Sequence, residues 1–264
     1  MQKRTFIDQL NRQVSVCWPP RRIISLVPSQ TELLFELGLD EEVIGVTKFC
    51  IHPQEKFKTK TKIGGTKKLD MDLIRRLQPD LIIGNKEENE QQQIEQLMQE
   101  FPVWMSDIHH LTDALKMIDQ LGVLVGKEQT ALDLVNQIEK GFVDLSAIQN
   151  FEKPLRVVYL IWKNPYMVAA KNTFIDDVIQ KAGWKNAFDS KRYPELSAAD
   201  IQASEPDLIL LSSEPYPFKE KHIEEFESIC PKAKVMVVDG EMFSWYGSRL
   251  LFTPGYLKTL TRTK

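Results

Sequence analysis

The chain has 264 residues, 42% of them apolar and 27% charged, with a formal net charge of −3. That length suits one large domain or two small ones, with an ordinary globular composition that buries a core without disulfides. The absence of a long basic run excludes nucleic acid as the expected partner. The three cysteines, Cys17, Cys50 and Cys230, are odd in number and widely spaced. They form no CxxC pair, which excludes a disulfide framework and a structural zinc site and fits reduced thiols in a cytosolic protein.

At the N-terminus, Asp8, Gln9, Asn11 and Arg12 interrupt any apolar stretch after the basic start. A secretory leader needs such a stretch uninterrupted, and no run long enough to cross a membrane follows it. The expected location is therefore cytoplasmic, or periplasmic if a leader has been replaced by a methionine.

The first predicted strand covers residues 22–27, and Ser29-x-x-Glu32 reads as a capping box opening an apolar helix that ends at Gly38. A strand over Val43–Val46 follows. Residues 70–82, Asp-Met-Asp-Leu-Ile-Arg-Arg-Leu-Gln-Pro-Asp-Leu-Ile, read as a short helix, a Pro-Asp turn and an apolar strand. A strand over 102–105 comes next, and His109-His110 opens a polar surface helix. In residues 127–149, Ala131, Leu134, Val135, Ile138, Phe142, Leu145 and Ile148 recur at helical spacing. About 20 helical residues would span about 30 Å, which predicts a rigid strut.

Beyond the strut come a strand over Arg156–Trp162 and a helix opened by Thr173-x-x-Asp176 and ending near Gly183. Residues 197–209, Ser-Ala-Ala-Asp-Ile-Gln-Ala-Ser-Glu-Pro-Asp-Leu-Ile, then repeat 70–82 without a gap. A last strand covers Lys234–Val238. Residues 81–83 and 208–211 read as buried parallel strands. The implied fold class is α/β, with two Rossmann-like lobes of mainly parallel sheet joined by one long rigid helix. The lobes are placed at 21–126 and 151–264, with the linking helix at 127–150. A single copy of the chain is expected.

Open α/β sheets bind ligands outside the carboxyl ends of their strands, which directs attention to the loops there and to a cleft between the lobes. Those loops carry Phe49, Cys50 and His52 after the 43–46 strand, and Glu87 and Glu88 after the 81–83 strand. In the second half they carry Trp162 and Tyr166, Glu214 and Tyr216, then Glu241, Trp245, Tyr246 and Arg249. Aromatic rings beside carboxylates suit a planar, partly charged ligand. Phe243, Trp245 and Tyr246, next to Gly247 and Arg249, read as a ligand wall or as core, and Arg249 falls at a helix start that favours an anionic group. Cys50 and His52 are a weak metal-ligating pair, against a packed thiol and a histidine satisfied by a turn. Glu87 and Glu88 are either an acid–base pair or a solvated face. Nucleotide-loop and nucleophile-elbow motifs are absent, and Gly64-Gly65-Thr66-Lys67 only superficially resembles a phosphate loop. A non-enzymatic binding protein that requires no cofactor is the leading expectation. The rivals are an enzyme or carrier for a related cofactor using Glu87, Glu88, Glu214 and Glu241, and a soluble sensor or partner-binding module.

The stretch Arg22-Ile-Ile-Ser-Leu-Val-Pro-Ser-Gln-Thr-Glu32, the Gly64-Gly-Thr turn and both Pro-Asp-Leu-Ile segments resemble the helical-backbone metal receptors over residues 21–260. These are ABC-importer solute-binding proteins for vitamin B12, iron–siderophores and haem, of class III periplasmic-binding-protein architecture. Phe-Cys-Ile-His-Pro, Lys-Glu-Glu-Asn, Ser-Ser-Glu-Pro-Tyr-Pro-Phe and Phe-Ser-Trp-Tyr-Gly-Ser-Arg are similar to a subgroup without a leader. The resemblance implies a ligand in the cleft, a corrinoid first and then a haem or ferric chelate. It also implies an ABC permease as partner, docked by an acid on the first turn of each repeated helix. Asp72 fills the first of those positions, but its repeat mate is Ala199, and Asp200 completes a Ser197-x-x-Asp200 capping box instead.

Overall fold

The computed structural model describes residues 2–148 and 153–262. Its chain divides into two compact units, the first made of Met1–Ile108, Thr112–Gln137 and Tyr246–Arg249, the second of His109–Leu111, Ile138–Trp245 and Leu250–Lys264. The last residues expected in the linking helix, Gln149 and Asn150, lie outside the described residues. So do Phe151, Glu152, Thr263 and Lys264 of the expected second lobe.

The first unit opens with strands β1 (Gln2–Ile7) and β2 (Gln13–Trp18), an antiparallel hairpin not anticipated from the sequence. The polar residues that break a leader-like stretch are the ones that build its turn. The buried Asp8 carboxylate accepts the backbone N–H groups of Leu10 at 3.0 Å and Arg12 at 2.9 Å, with Asn11 at φ 59°. Then follow β3 (Ile23–Ser25), α1 (Pro28–Glu36), β4 (Val43–Val46), α2 (Gln54–Thr59), β5 (Thr61–Lys62), α3 (Met71–Leu77), β6 (Leu81–Asn85), α4 (Gln91–Glu100) and β7 (Val103–Ser106). Strands β3 to β7 form one parallel sheet in the order β5-β4-β3-β6-β7. The continuous apolar runs of β3 and β6 are buried at every position, as a sheet covered on both faces requires.

Two expectations fail here. The Ser29-x-x-Glu32 capping box does not form, because Pro28 takes the first helical position and Val27 becomes the N-cap, with no side-chain cap. Proline there has its φ preset for the helix and lacks only an N–H that would be unpaired anyway. The helix does end as expected, at Gly38 with φ +82°. Helix α5 (Leu111–Val125) is amphipathic rather than polar, burying Ala114, Met117, Ile118, Leu121 and Leu124. His110 is exposed and faces Asp177 at 3.5 Å.

Helix α6 (Glu128–Ala147) has 20 residues, with Ala131, Leu134, Ile138, Phe142 and Leu145 buried and Ile148 exposed beyond its end. The division between the units falls within it, between Gln137 and Ile138. The second unit continues with β8 (Arg156–Trp162), β9 (Tyr166–Val168), α7 (Phe174–Lys181), β10 (Lys185–Asn186), β11 (Glu195–Leu196), α8 (Ala198–Ala203), β12 (Leu208–Ser212), α9 (Ile223–Ile229), β13 (Lys234–Val238), α10 (Glu241–Ser244) and α11 (Thr253–Arg262). Its sheet runs β11-β9-β8-β12-β13, with β10 also paired to β8. The pairings β8–β12, β12–β13 and β8–β10 are parallel, while the short β9 and β11 add antiparallel edges. Thr173 caps α7 by accepting the Asp176 N–H, and the Ser197–Asp200 capping box opens α8.

The internal repeat corresponds to one physical device used twice. Residues Gln78 (φ 45°) and Glu205 (φ 44°) take the left-handed conformation just before each proline. The following Asp80 carboxylate accepts the backbone N–H groups of Arg21 and Arg22, both at 2.8 Å, and Asp207 accepts that of Arg156 at 2.8 Å. The arginine at the head of the neighbouring strand reaches back to carbonyls at the end of the preceding helix. Arg22 donates to Leu77 and Gln78, and Arg156 donates to Ser204. Each arginine thereby meets the negative end of a helix, and each aspartate fixes where the adjoining strand begins.

Hydrogen bonds to a carboxylate contribute about 1.5–3 kcal/mol each, against roughly 0–1 kcal/mol for an exposed ion pair. Asp80→Ala is therefore expected to lower unfolding free energy by about 2–4 kcal/mol and Asp207→Ala by somewhat less. Asp72→Ala, which removes an exposed pair with Arg75, is expected to cost under about 1 kcal/mol. Urea unfolding of the three variants checks that order, and an Asp72 effect as large as that of Asp80 would overturn it.

Candidate functional site

In each unit the expected site residues lie at or just beyond the carboxyl ends of the parallel strands, on loops and on the short elements that follow them. In the first unit, β6 ends at the buried Asn85, whose Oδ1 accepts the N–H groups of Glu87 at 2.8 Å and Glu88 at 3.1 Å. Asn89 closes the loop, its Oδ1 accepting the Asn85 N–H at 2.8 Å and its Nδ2 donating to the Thr66 carbonyl at 3.1 Å. Gly84 permits this closeness, since a Cβ there would lie 2.7 Å from Asn89 Oδ1. Asn85 and Asn89 were missed in the sequence. Their signal is two asparagines four residues apart at a strand end, where an amide can replace backbone partners.

The Glu88 carboxylate accepts the phenol of Tyr246 at 2.5 Å. Burial, and then the Glu88 charge, push the Tyr246 phenol well above its ordinary value. Arg249 donates through two nitrogens to the carboxylate of Glu32, a partner the sequence did not show. It lies on a short 3₁₀ helix, Ser248–Leu251, rather than at an α-helix start. Gly247 is packed so closely that a Cβ would sit 2.4 Å from the Ser29 carbonyl oxygen. Tyr246–Arg249 thus belongs to the first unit, although the chain on either side belongs to the second.

On the β4 loop, Phe49 is 50% exposed, with Lys48 Nζ 5.0 Å from its ring centre. Cys50 is fully buried and shares hydrogen bonds of 3.1 Å with the hydroxyls of Thr31 and Thr47. Burial raises its thiol above the ordinary value. His52 is half-buried two residues on. No cluster of three or more His, Cys, Asp or Glu suited to a metal occurs among the described residues.

In the second unit, Trp162 ends β8 and is 40% exposed, its ring edge-on to Tyr216 at 5.7 Å. Tyr216 also packs on Phe218 at 4.7 Å and on His222 at 5.8 Å. The Tyr166 phenol and the Lys163 ammonium both donate to Glu225. Desolvation and the Glu225 carboxylate raise the Tyr166 phenol to about 12. Glu214 Oε1 accepts both Ser244 Oγ at 2.6 Å and Trp245 Nε1 at 3.0 Å. Trp245 is only 6% exposed, Tyr246 is equally enclosed, and Phe243 is fully buried against Tyr159. Glu241 begins α10, its N–H held by the Asp239 carboxylate at 3.0 Å.

Burial raises the Glu214 carboxyl above the ordinary carboxylate value, with Glu241 and Asp239 adding to the shift and the Ser244 and Trp245 bonds opposing it. A carboxyl raised on folding stabilises the protein fully below its unfolded pKa, and that contribution is lost as pH rises through the folded value. Relative to Glu214→Gln, the wild-type urea midpoint is therefore expected to fall as pH rises above the ordinary carboxylate range. A difference that stays flat, or grows in favour of wild type, would contradict the assignment.

Residues 23–228 match the periplasmic binding protein family. A vitamin B12-binding protein of Pectobacterium atrosepticum is 27% identical over 240 residues, covering 88% of this chain and 85% of its own. The periplasmic heme-binding protein RhuT of Roseiflexus sp. RS-1 superposes with a TM-score of 0.76 at 24% identity, covering 91% of this chain and 96% of that one. Siderophore binding protein BauB, solved with two acinetobactin molecules and ferric iron, gives a TM-score of 0.82 at 17% identity with both chains fully covered. The expected class III binding-protein architecture is thereby shown, and no described helix is long and apolar enough to cross a membrane. The match spans most of the sequence, both copies of the repeat included, and the chain belongs to the periplasmic binding protein family, as a solute-binding protein.

Proposed function

We propose that this chain binds a metal-bearing or planar small molecule and hands it to an ABC-type permease, without a catalytic step. The observation that carries this reading is large aromatic surface left open at strand carboxyl ends, Phe49 in the first unit and Trp162 with Tyr216 in the second. Rings of this size bury 150–250 Å² each when covered, and flat ring faces suit a macrocycle or an aromatic chelate. A corrinoid is taken first because of the B12-binding relative, with haem and a ferric chelate next. Two of the four acids that an enzyme reading would use already serve structural bonds, Glu88 with Tyr246 and Glu214 with Ser244 and Trp245.

Visible absorbance titrations with cyanocobalamin, haemin and a ferric siderophore test the reading. At least one is expected to bind with micromolar or tighter affinity, about −8 kcal/mol. Trp162→Ala or Phe49→Ala is expected to weaken it about tenfold while the melting temperature moves little. Failure of all three to bind would end the proposal.

Permease docking would rest on one acid. Asp72 lies on the first turn of α3 with its side chain 82% exposed, whereas α8 presents Ala199 and spends Asp200 on its cap. Weak association with a vitamin B12-type permease in detergent is expected, lost in Asp72→Lys. Tight association that survives this change would refute the single-acid docking.

A further inference from the structure

The loop that follows β12 has few backbone donors to hold it, since Pro215 and Pro217 have no N–H. The Tyr216 N–H donates to the Ile161 carbonyl at 3.3 Å, and the Phe218 N–H to the Ser212 and Tyr216 carbonyls at 3.3 and 2.8 Å. Beyond Phe218 the chain passes Lys219 and the 3₁₀ turn Glu220–His222 into α9. His222 is 8% exposed and closes that turn in both directions. Its N–H donates to the Lys219 carbonyl at 2.8 Å, and its Nδ1 accepts the Lys219 N–H at 2.9 Å. The imidazole also packs on the rings of the loop, on Tyr216 at 5.8 Å and edge-on to Phe218 at 5.5 Å.

A backbone N–H can only donate, so Nδ1 of His222 carries a lone pair and the neutral ring has its hydrogen on Nε2. An imidazolium has an N–H at both nitrogens, and would set two donors against each other where the turn now closes. The charges around the ring come from three elements. Lys163 faces it from the loop between β8 and β9, and Lys221 from its own turn. Glu225 faces it from α9, its carboxylate already taking the Lys163 ammonium and the Tyr166 phenol. Lys219 and Glu220, on the same turn, are exposed. Burial first, and then the two lysines, hold the imidazole below its ordinary value, with Glu225 opposing them. The Tyr216 ring touches both His222 and Trp162, and so links this turn to the open aromatic surface.

We infer that His222 is a pH-sensitive latch: its neutral ring holds Tyr216 against Trp162, and its protonation opens the turn and loosens the grip of both rings on a ligand. The ligand half of this rests on the proposed solute-binding function and adds to it a condition under which the solute is let go. The latch is closed above the histidine value of the folded protein and opens as pH falls through it. Since the ordinary histidine value is about 6.5, opening belongs to mildly acidic solution below that pH.

Nuclear magnetic resonance of the ligand-free chain, from about pH 7.5 to about pH 4.5, tests the latch itself. The Lys219 amide and the Tyr216 ring signals are expected to move with the His222 ring, at one midpoint below its ordinary value. In Lys221→Gln, which removes an exposed repelling charge, that midpoint is expected to rise. In His222→Asn, whose amide oxygen can accept the Lys219 N–H but does not titrate, both signals are expected to stay still. Titration with cyanocobalamin, haemin and a ferric siderophore reads the consequence. For whichever binds, wild-type affinity is expected to fall at least about fivefold over the same range, and that of His222→Asn less than about twofold. If His222 titrates while Lys219 and Tyr216 stay still, or does not titrate in this range, the latch is refuted. A fall in affinity equal in both proteins refutes it too, and the binding function stands. If none of the three compounds binds, the binding function falls, and the ligand-free spectra of wild type and Lys221→Gln decide the latch alone.

Discussion

The constraint on which the rest of the structure depends is the need to start each parallel strand at a fixed residue. A parallel sheet buried on both faces has little side-chain patterning to set its register, because nearly every position is apolar. Here the register is set from outside the sheet. The carboxylates of Asp80 and Asp207 hold the backbone N–H groups at the heads of β3 and β8, and Arg22 and Arg156 tie those same heads to the ends of α3 and α8. Helix end, proline turn and strand start thereby become one hydrogen-bonded unit. Once β3 and β6 are aligned at their beginnings, their carboxyl ends, and the loops that follow, are aligned as well.

Those loops are shaped mainly by side chains bonding to backbone. Asn85 and Asn89 supply the bonds that a regular element would have made between residues 85 and 89. Ser212 and Ser213 do the same in the second unit, bonding the Glu214 carbonyl at 2.6 Å and the Gly240 N–H at 2.9 Å. Short polar side chains at strand ends fix the loops, while larger side chains such as Phe49 and Trp162 stay exposed.

The repeat, the main strands of both units and the long helix were legible in the sequence because each depends on a local signal. Apolar runs give strands, 3.6-residue spacing gives helices, and Pro-Asp gives the turn between them. The capping box at Ser197 was legible for the same reason, its two partners being three residues apart. The apparent one at Ser29 failed because a neighbouring proline took the helix start, and Glu32 found its partner 217 residues away in Arg249. The Glu88–Tyr246 and Glu214–Trp245 bonds were hidden for the same cause, since separations of 158 and 31 residues leave no periodicity to read. The ring stretch after β13 shows the limit most clearly. Three aromatics in four residues suggested one wall, but Phe243 packs on Tyr159, Trp245 bonds to Glu214 and Tyr246 bonds to Glu88.

The route of the chain through Tyr246–Arg249 bears on how a duplicated sequence becomes a single molecule. Two copies of a strand–helix unit, fresh from a duplication, would be separable, and either could be inherited or expressed alone. Here four residues that follow most of the second unit in the chain complete the first unit. A fragment cut at the middle of α6 would retain Glu32 and Glu88 but lose the arginine and the phenol that bond them. Loss of one partner from a sheltered polar pair is more costly than loss of both. The placing of these four residues therefore ties the first unit to a distant stretch of the chain, and recombination between such proteins would have to carry the short segment together with the unit it completes.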